Sequence, residues 1–402
     1  MRALLLVGVA AGLVAYASRS QWRSFDADGE QRFEVLKHAS PGSELVVGIC
    51  WPFSVNADGM ADGLELALEE INAGNLAGRP VRLVLRDDAF DWEKGKRIAI
   101  EFAGTPAMSA VLGYYDDGFA VKASPIYESS RLLNLVVGAN ATALTGHDFS
   151  YVVRTTLSSE KIARSLAQMA YASGARKFAI LWEQDAYGED LAYQYRVSLD
   201  ALDAQLVYQW SYSRERADFR LPVNQLKSVN ADVIFFAGLE PLAGDFLRAA
   251  RMVGLKADIV GAFSDTPLMR KAAGPALEGA KFFDMYDPAS PTPENQAFVR
   301  KFRARFGRDP DTWAAQGYDA LHILARAARA TGSLNPLDLA YAIRFMDPWE
   351  GANGRYKFDG QGELEDKPIY LEVIRKGGPV TIERSRPGAV PVPSGEPGPG
   401  SP

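Results

Sequence analysis

Short apolar runs alternate along most of this chain with stretches in which apolar side chains recur every three or four positions. Leu45 to Ile49 is one such run. Met60, Leu64, Leu68 and Ile71 then recur at helical spacing, with Glu65, Glu69 and Glu70 on the other side. The unit repeats as strand Val81 to Leu85, helix Trp92 to Phe102, strand Ala110 to Leu112, helix Gly118 to Ser129 and a strand opening at Asn134. Strands alternating with helices predict a parallel sheet covered on both faces.

The stretch Asn134 to Ser158 reads as a hinge strand. Leu135 to Val137 is apolar, Gly138 breaks the run, and Asn140, Thr142 and Thr145 supply compact hydrogen-bonding groups at the strand's carboxyl end, where open α/β sheets bind ligands. After Arg154, Thr155 and Thr156 a fresh series begins: helix Ser159 to Ala172, strand Lys177 to Trp182, helix Gly188 to Leu202, strand Gln205 to Trp210, helix Phe219 to Val229, strand Asp232 to Phe236, helix Leu242 to Val253, strand Asp258 to Val260 and strand Lys281 to Met285. Helices Pro293 to Phe306, Thr312 to Thr331 and Pro336 to Phe345 follow with no strand between them, which predicts that they pack back on the first lobe. Arg355 to Phe358 and Ile369 to Val373 read as a terminal hairpin, and the Pro/Gly-rich end as disordered.

Composition narrows the function classes. A chain of 402 residues, 47% hydrophobic and 23% charged, suffices for two cores. Its net charge of -6, with no stretch gathering Lys and Arg into a basic face, argues against nucleic acid. Met1-Arg2, the apolar run Ala3 to Ala15 and the small residues of Ala15-Tyr16-Ala17 predict an export signal cleaved after Ala17. The run is shorter than the roughly 20 residues of a spanning helix. Membrane contact is therefore expected only through a transporter or an uncleaved N-terminus. The lone Cys50 permits no internal disulfide. His38, His147 and His322 lie in no metal-ligand spacing, and no nucleophile elbow, phosphate loop or dinucleotide fingerprint is present, so neither catalysis, a metal nor a cofactor is expected.

From Glu44 to roughly Glu383 the order of pieces resembles the type I periplasmic binding proteins of the leucine/isoleucine/valine-binding branch. The pieces are GLELALEEIN, LVLRDDAFDWEKG, PIYES, VVGANATALT, VVRT, AILWEQDAYGEDL, ADVIFFAG, FLRAARMVGLKADIVG and FRARFGRDPDTWAAQGYDALHIL. The resemblance implies an α/β fold of two Rossmann-like lobes with parallel sheets joined by a three-segment hinge, a Venus flytrap that closes on a small ligand. Crossings are expected near Arg154 to Ser158, Met285 to Ala289 and Gly351 to Tyr356. The expected organisation is signal 1–17, polar tether 18–43 (or a short peripheral helix), lobe 1 from 44–157 plus 287–350, lobe 2 from 158–286 plus 351–384, and tail 385–402.

The resemblance also implies the site. Where the family offers Ser and Thr to a ligand's α-carboxylate, this chain has Tyr114-Tyr115-Asp116-Asp117-Gly118, and the family's Thr after Gly138-Ala139 becomes Asn140. Tyr187 matches the aromatic that covers the ligand from the second lobe. Phe263 takes the place of the family's acidic ammonium partner, with Asp265 two residues on. Asp117 either favours a cationic or hydrogen-bond-donating group or, like Asp116, caps the helix at Gly118. Asn140 is a ligand contact or a turn residue, and Asp265 a ligand partner or a helix cap. Trp51, Phe53 and Phe119 are candidates for an apolar wall, and Asn56 and Ala139 complete the expected site. The expected function is an extracytoplasmic solute-binding protein that closes on an amino-acid-like, amide or amine ligand and delivers it to an ABC permease. The alternative is a sensing or accessory subunit of an envelope complex.

Overall fold

The computed structural model describes residues 25–385, apart from Pro41, Ala57, Phe263, Asp366 and Gly377. The expected export signal, the chain after Ser385 and the candidate Phe263 therefore lie outside the described residues. The chain divides into two compact units. Of the described residues, unit 1 takes those through Ala139, Ala143–Thr156 and Pro291–Glu365; unit 2 comprises Asn140–Thr142, Leu157–Ser290 and residues 367–385.

Unit 1 is built on a parallel five-stranded sheet: β1 (Leu45–Trp51), β2 (Val81–Asp87), β3 (Met108–Leu112), β4 (Leu133–Val136) and β5 (Val152–Arg154), in the order β2-β1-β3-β4-β5. Leu45 pairs with Val81 and Trp51 with Asp87, so β1 and β2 end level. The connecting helices are α2 (Met60–Ala73), α3 (Trp92–Ala103) and α4 (Asp117–Ser129). The chain leaves β1 toward one edge and returns past it to β3, and right-handed crossovers then place α2 on the face opposite α3 and α4. From the later chain come α10 (Pro293–Phe306), α11 (Thr312–Thr331) and α12 (Pro336–Arg344), all in unit 1; α11 packs on α2 and α12. The α2–α11 approach is close enough that a Cβ at Gly63 would stand 2.0 Å from the Ala314 carbonyl oxygen.

Residues 25–37 form a helix, α1, the alternative to a tether for this segment. Arg32 is fully buried and its guanidinium donates to five backbone carbonyls: Met108 (3.1 Å), Phe102 and Thr105 (3.2 Å each), Ala103 and Ser130. Those carbonyls belong to the carboxyl ends of α3 and α4 and to the start of β3, the orphaned acceptors that a helix end leaves behind. Burial lowers the Arg32 pKa to about 10, still charged at neutral pH. Phe25 and Leu36 are buried on the same helix, and Arg131 pairs with Glu30 at 2.7 Å.

Several boundaries differ from expectation: Asn140–Thr142, Leu157 and residues 287–290, expected in the first lobe, belong to unit 2, and two further differences have reasons visible in the packing. Residues 351–365 stay with unit 1 and not with the second lobe. They begin within a small hairpin, β11 (Trp349–Gly351) and β12 (Gly354–Tyr356), whose turn is gripped by Asp319 of α11. The Asp319 carboxylate accepts from Ala352 N (2.8 Å), Asn353 N (2.7 Å) and Tyr356 Oη (3.0 Å). The expected pairing of 355–358 with 369–373 is therefore absent, and the third passage into unit 2 falls after Glu365. Ser385, assigned to the tail, is buried, its backbone N–H on Ile369 O and its Oγ accepting from Ile369 N.

Unit 2 holds a seven-stranded sheet in the order β14-β13-β10-β9-β8-β6-β7. Its parallel part is β6 (Lys177–Glu183), β7 (Gln205–Tyr212), β8 (Val233–Ala237), β9 (Asp258–Gly261) and β10 (Lys281–Asp284). Antiparallel β13 (Tyr370–Arg375) and β14 (Gly378–Arg384) extend it. The helices are α5 (Ser159–Ala172), α6 (Ala186–Ala201), α7 (Arg220–Val229), α8 (Leu242–Met252) and α9 (Pro267–Ala273). Tyr212, Phe219, Phe236 and Phe246 lie in the core on one side of the sheet, with Phe236 and Phe246 stacked at 4.8 Å.

Candidate functional site

The strand order makes a topological switch point in each unit, and open α/β sheets bind ligands outside the carboxyl ends of the strands there. In unit 1 the switch lies between β1 and β3, whose ends lead into Trp51 and Tyr114-Tyr115. In unit 2 it lies between β6 and β8, which end at Glu183 and Ala237.

Trp51 closes β1 fully buried, and its indole N–H donates to Asp58 Oδ2 at 3.0 Å. Around it stand Tyr115, ring centroid 5.2 Å away and nearly perpendicular, and Trp313 at 5.3 Å; Tyr115 and Trp313 are 5.1 Å apart. Phe90 packs edge-on against Tyr115 at 5.3 Å. Edge-to-face pairs of this kind are preferred because a ring's positive rim meets its neighbour's negative face. Tyr115 and Trp313 are half-buried and Phe90 is 39% exposed.

The backbone that presents these rings is fixed by carboxylates. Asp311 caps α11 by accepting from Ala314 N (2.9 Å), and its other oxygen accepts from Gly59 N (2.8 Å), so one side chain joins the starts of α11 and α2 and places Trp313. Ala89 and Phe90 both adopt left-handed φ, 51° and 57°, held by Asp87 and Asp88, which accept from Ala89 N and Phe90 N at 3.0 Å each. Two consecutive residues there cost on the order of 1–3 kcal/mol each, strain of a kind that gathers at ligand sites.

The electrostatics of this edge are acidic. Burial pushes the Asp58 carboxyl up to about 6 against hydrogen bonds from Trp51, Met60 N and Asn56, and neighbouring Asp311 adds to the rise. Burial likewise raises Asp88, with Asp87 and Asp116 adding to it. Carboxyls rise in this way where both low dielectric and like charge oppose ionisation.

The structure separates the adjacent acids of the 116–117 pair. Asp116 is the cap of α4, accepting from Phe119 N at 2.9 Å; Asp117 occupies the first helical position and is buried. Asn56 joins the Trp51–Asp58 group. Ala139 is buried and donates to Tyr114 O at 3.0 Å, and a Cβ on its neighbour Gly138 would meet the Trp51 ring at 2.8 Å. Phe119 turns to Trp92, centroids 5.5 Å apart.

In unit 2, Tyr187 is half-buried in the first turn of α6, which Asp185 caps from Gly188 N at 2.7 Å. That turn is wedged at the switch point, since a Cβ on Gly188 would stand 2.3 Å from Glu183 O and 3.0 Å from Ala237 O. Glu183 is buried and paired with Arg214 at 2.5 Å; burial raises its pKa and Arg214 opposes the rise. Asn140 donates its amide to Leu157 O at 2.6 Å, and its own carbonyl accepts from Ser159 N, the behaviour of a turn residue. Asp265 is ion-paired with Arg270, and the cap of α9 is its neighbour Thr266, not Asp265 itself.

Sequence reasoning singled out Trp51, placed Tyr115 in the expected binding loop without giving it a role, and missed Phe90, Trp313 and Asp58. Trp313 lies 262 positions from Trp51, and its only local signal was the Asp311-Thr312 helix start preceding it. Among the described residues no group of three or more His, Cys, Asp or Glu is placed to hold a metal ion, and no helix is long and apolar enough to cross a membrane.

Two α/β units, each with a switch point lined by aromatic and polar side chains, define a binding protein for small molecules. The chain belongs to the periplasmic binding protein family, whose model matches residues 52–379. It is 28% identical over 346 residues to a Leu/Ile/Val-binding protein homolog 2 of Brucella abortus, covering 83% of this chain and 91% of that protein. It is 30% identical to an ABC transporter substrate-binding protein from Desulfitobacterium hafniense solved with Leu, at a TM-score of 0.76 over 84% of this chain and 100% of that one. A solute-binding protein from R. palustris solved with benzoate shares the fold at a TM-score of 0.72 and 22% identity, over 86% of this chain and 97% of that one. The fold is that of type I periplasmic binding proteins, and these relatives are solute-binding proteins rather than enzymes.

Proposed function

We propose that this protein is an extracytoplasmic receptor that captures a small polar solute, amine-, amide- or amino-acid-like, and delivers it to the permease of an ABC importer. The observation that carries the reading is that half-buried aromatic side chains stand at the switch point of each unit, Tyr115 and Trp313 in one and Tyr187 in the other. The carboxyl ends of open sheets are where such folds take ligands, and membership of a family of solute-binding proteins supports the assignment.

A thermal-shift screen over amino acids, amides, polyamines and aromatic acids tests it. A true solute raises the melting temperature with the logarithm of its concentration above Kd, because it binds the native state alone. A screen in which no compound does so at millimolar concentration overturns the reading.

A further inference from the structure

We propose that the solute this receptor takes carries a methylated ammonium group, and that unit 1 recognises it with an aromatic wall of Tyr115, Trp313 and Phe90 built over Trp51. The inference rests on the solute-receptor reading and deepens it.

Geometry comes first. Trp51, Tyr115 and Trp313 form a mutual trio with centroids 5.1–5.3 Å apart, and Phe90 extends it to a fourth ring. These rings come from the ends of β1, β2 and β3 and the start of α11, so four separate chain segments converge on the switch point. Two of them depend on costly or shared arrangements: Phe90 on consecutive left-handed residues, and Trp313 on a carboxylate that serves two helices. A core could be filled without either device. Trp51 is the buried backing of the wall, while Tyr115, Trp313 and Phe90 retain exposure.

Charge decides the kind of group. The faces of Trp, Tyr and Phe carry negative electrostatic potential and attract cations, Trp best. Trp51 donates its N–H to the Asp58 carboxylate, which adds electron density to the indole. Beside Asp58 and Asp88 stand further acids, Asp311, Asp87 and Asp116, with Lys94 acting on Asp87 as an opposing cation, so the acids outnumber it. An anionic group placed here would meet repulsion, and a cation a favourable field.

Hydrogen bonding then separates methylated from primary ammonium. A primary ammonium leaving water needs acceptors for its three N–H donors. The carboxylates here use part of their accepting capacity in holding the wall, Asp58 accepting from Trp51 and Met60, Asp116 from Phe119, Asp311 from Gly59 and Ala314, and Asp87 and Asp88 from Ala89 and Phe90, while the faces of the exposed rings offer an N–H donor no lone pair. A methylated ammonium asks for none. Its methyl groups pack on ring faces and its diffuse charge is balanced by the field of the surrounding acids.

The test uses the full chain and its intrinsic tryptophan fluorescence, followed by calorimetry, with choline, tetramethylammonium, putrescine, L-leucine, benzoate and 3,3-dimethylbutanol, the uncharged isostere of choline. Choline or tetramethylammonium should give a saturable change, with 3,3-dimethylbutanol at least about tenfold weaker, since shape is kept and charge removed. Trp313→Ala should weaken the cation by about tenfold or more, and Trp313→Phe should recover most of it, with melting curves confirming that both variants are folded. Equal binding of the isostere, tighter binding of putrescine, or binding of leucine or benzoate without either methylated cation would overturn the inference and leave the receptor reading standing. No response to any compound, together with an empty thermal-shift screen, would overturn both.

Discussion

Replacing Arg32 by Ala should cost unit 1 more stability than any substitution on the outer faces of its helices. The guanidinium serves Met108, Phe102, Ala103, Thr105 and Ser130, and its removal leaves these carbonyls inside unit 1 without their charged donor. A hydrogen bond to a charged group contributes about 1.5–3 kcal/mol, and such bonds are not additive when one group makes several. Against the loss stands relief from burying a charge, the same effect that lowers the Arg32 pKa to about 10. A buried acceptor left unsatisfied costs about 1–3 kcal/mol, and with several carbonyls affected, partial relaxation and the relief of desolvation set against each other, we expect Arg32→Ala to cost about 3 kcal/mol. Urea unfolding followed by circular dichroism measures it, and hydrogen exchange at the carboxyl ends of α3 and α4 localises it. Arg32→Met, which keeps most of the apolar stem, should recover little; Arg32→Lys, with three donors on one point, should recover under half. An Arg32→Ala protein within about 1 kcal/mol of the parent, with unchanged exchange in α3 and α4, would refute the reasoning.

Further outcomes follow from other sites. Burial lowers His322 to about 4, so its folded pKa lies below the unfolded 6.5; its contribution is present above pH 6.5 and lost as pH falls toward 4. Asp58, raised to about 6, has the opposite sign, stabilising at low pH and losing its contribution as pH rises from about 4 to 6. The difference in denaturation profile between the parent and His322→Phe should therefore shrink below pH 6.5, by at most roughly 3 kcal/mol; a pH-independent difference would show that the histidine is not held neutral. Asp116→Ala should lower stability in urea unfolding by about 1 kcal/mol, the usual loss of a cap, and, since Asp116 belongs to the acidic field of the wall, weaken a cationic solute in calorimetry as well; parental affinity would remove Asp116 from that field. Asp117→Asn should leave the melting temperature nearly unchanged and weaken a cationic solute more than tenfold in calorimetry; unchanged affinity would remove Asp117 from the site. Gly188→Ala forces a Cβ against two backbone carbonyls and should destabilise unit 2 by about 2 kcal/mol or more, read as an early thermal transition; a protein with parental melting would show that the first turn of α6 has room to shift.

How much was legible in the sequence depended on whether the cause was local. Helical spacing at Met60, Leu64 and Ile71, the apolar run of β1 and the Asp caps before α3, α4, α6 and α11 act over a few residues, and the elements they specify are those found. The order of those elements sufficed to recognise a two-lobed periplasmic binding protein. Tertiary structure alone decided the rest. Arg32 reads locally as one more charge on a polar segment, and only the meeting of two helix ends with the start of β3 turns it into a buried hub. Asp319 looks like an ordinary helix residue until the 352–356 turn arrives to be bound, which is why that hairpin stays in unit 1. The aromatic wall joins Trp51, Phe90, Tyr115 and Trp313 from four segments. No periodicity encodes such a meeting, because it is fixed by strand order and by Asp311 bridging two helix starts. Local propensities thus determined what each segment becomes, whereas the chemistry at the switch points follows from contacts that exist only once the sheets have formed.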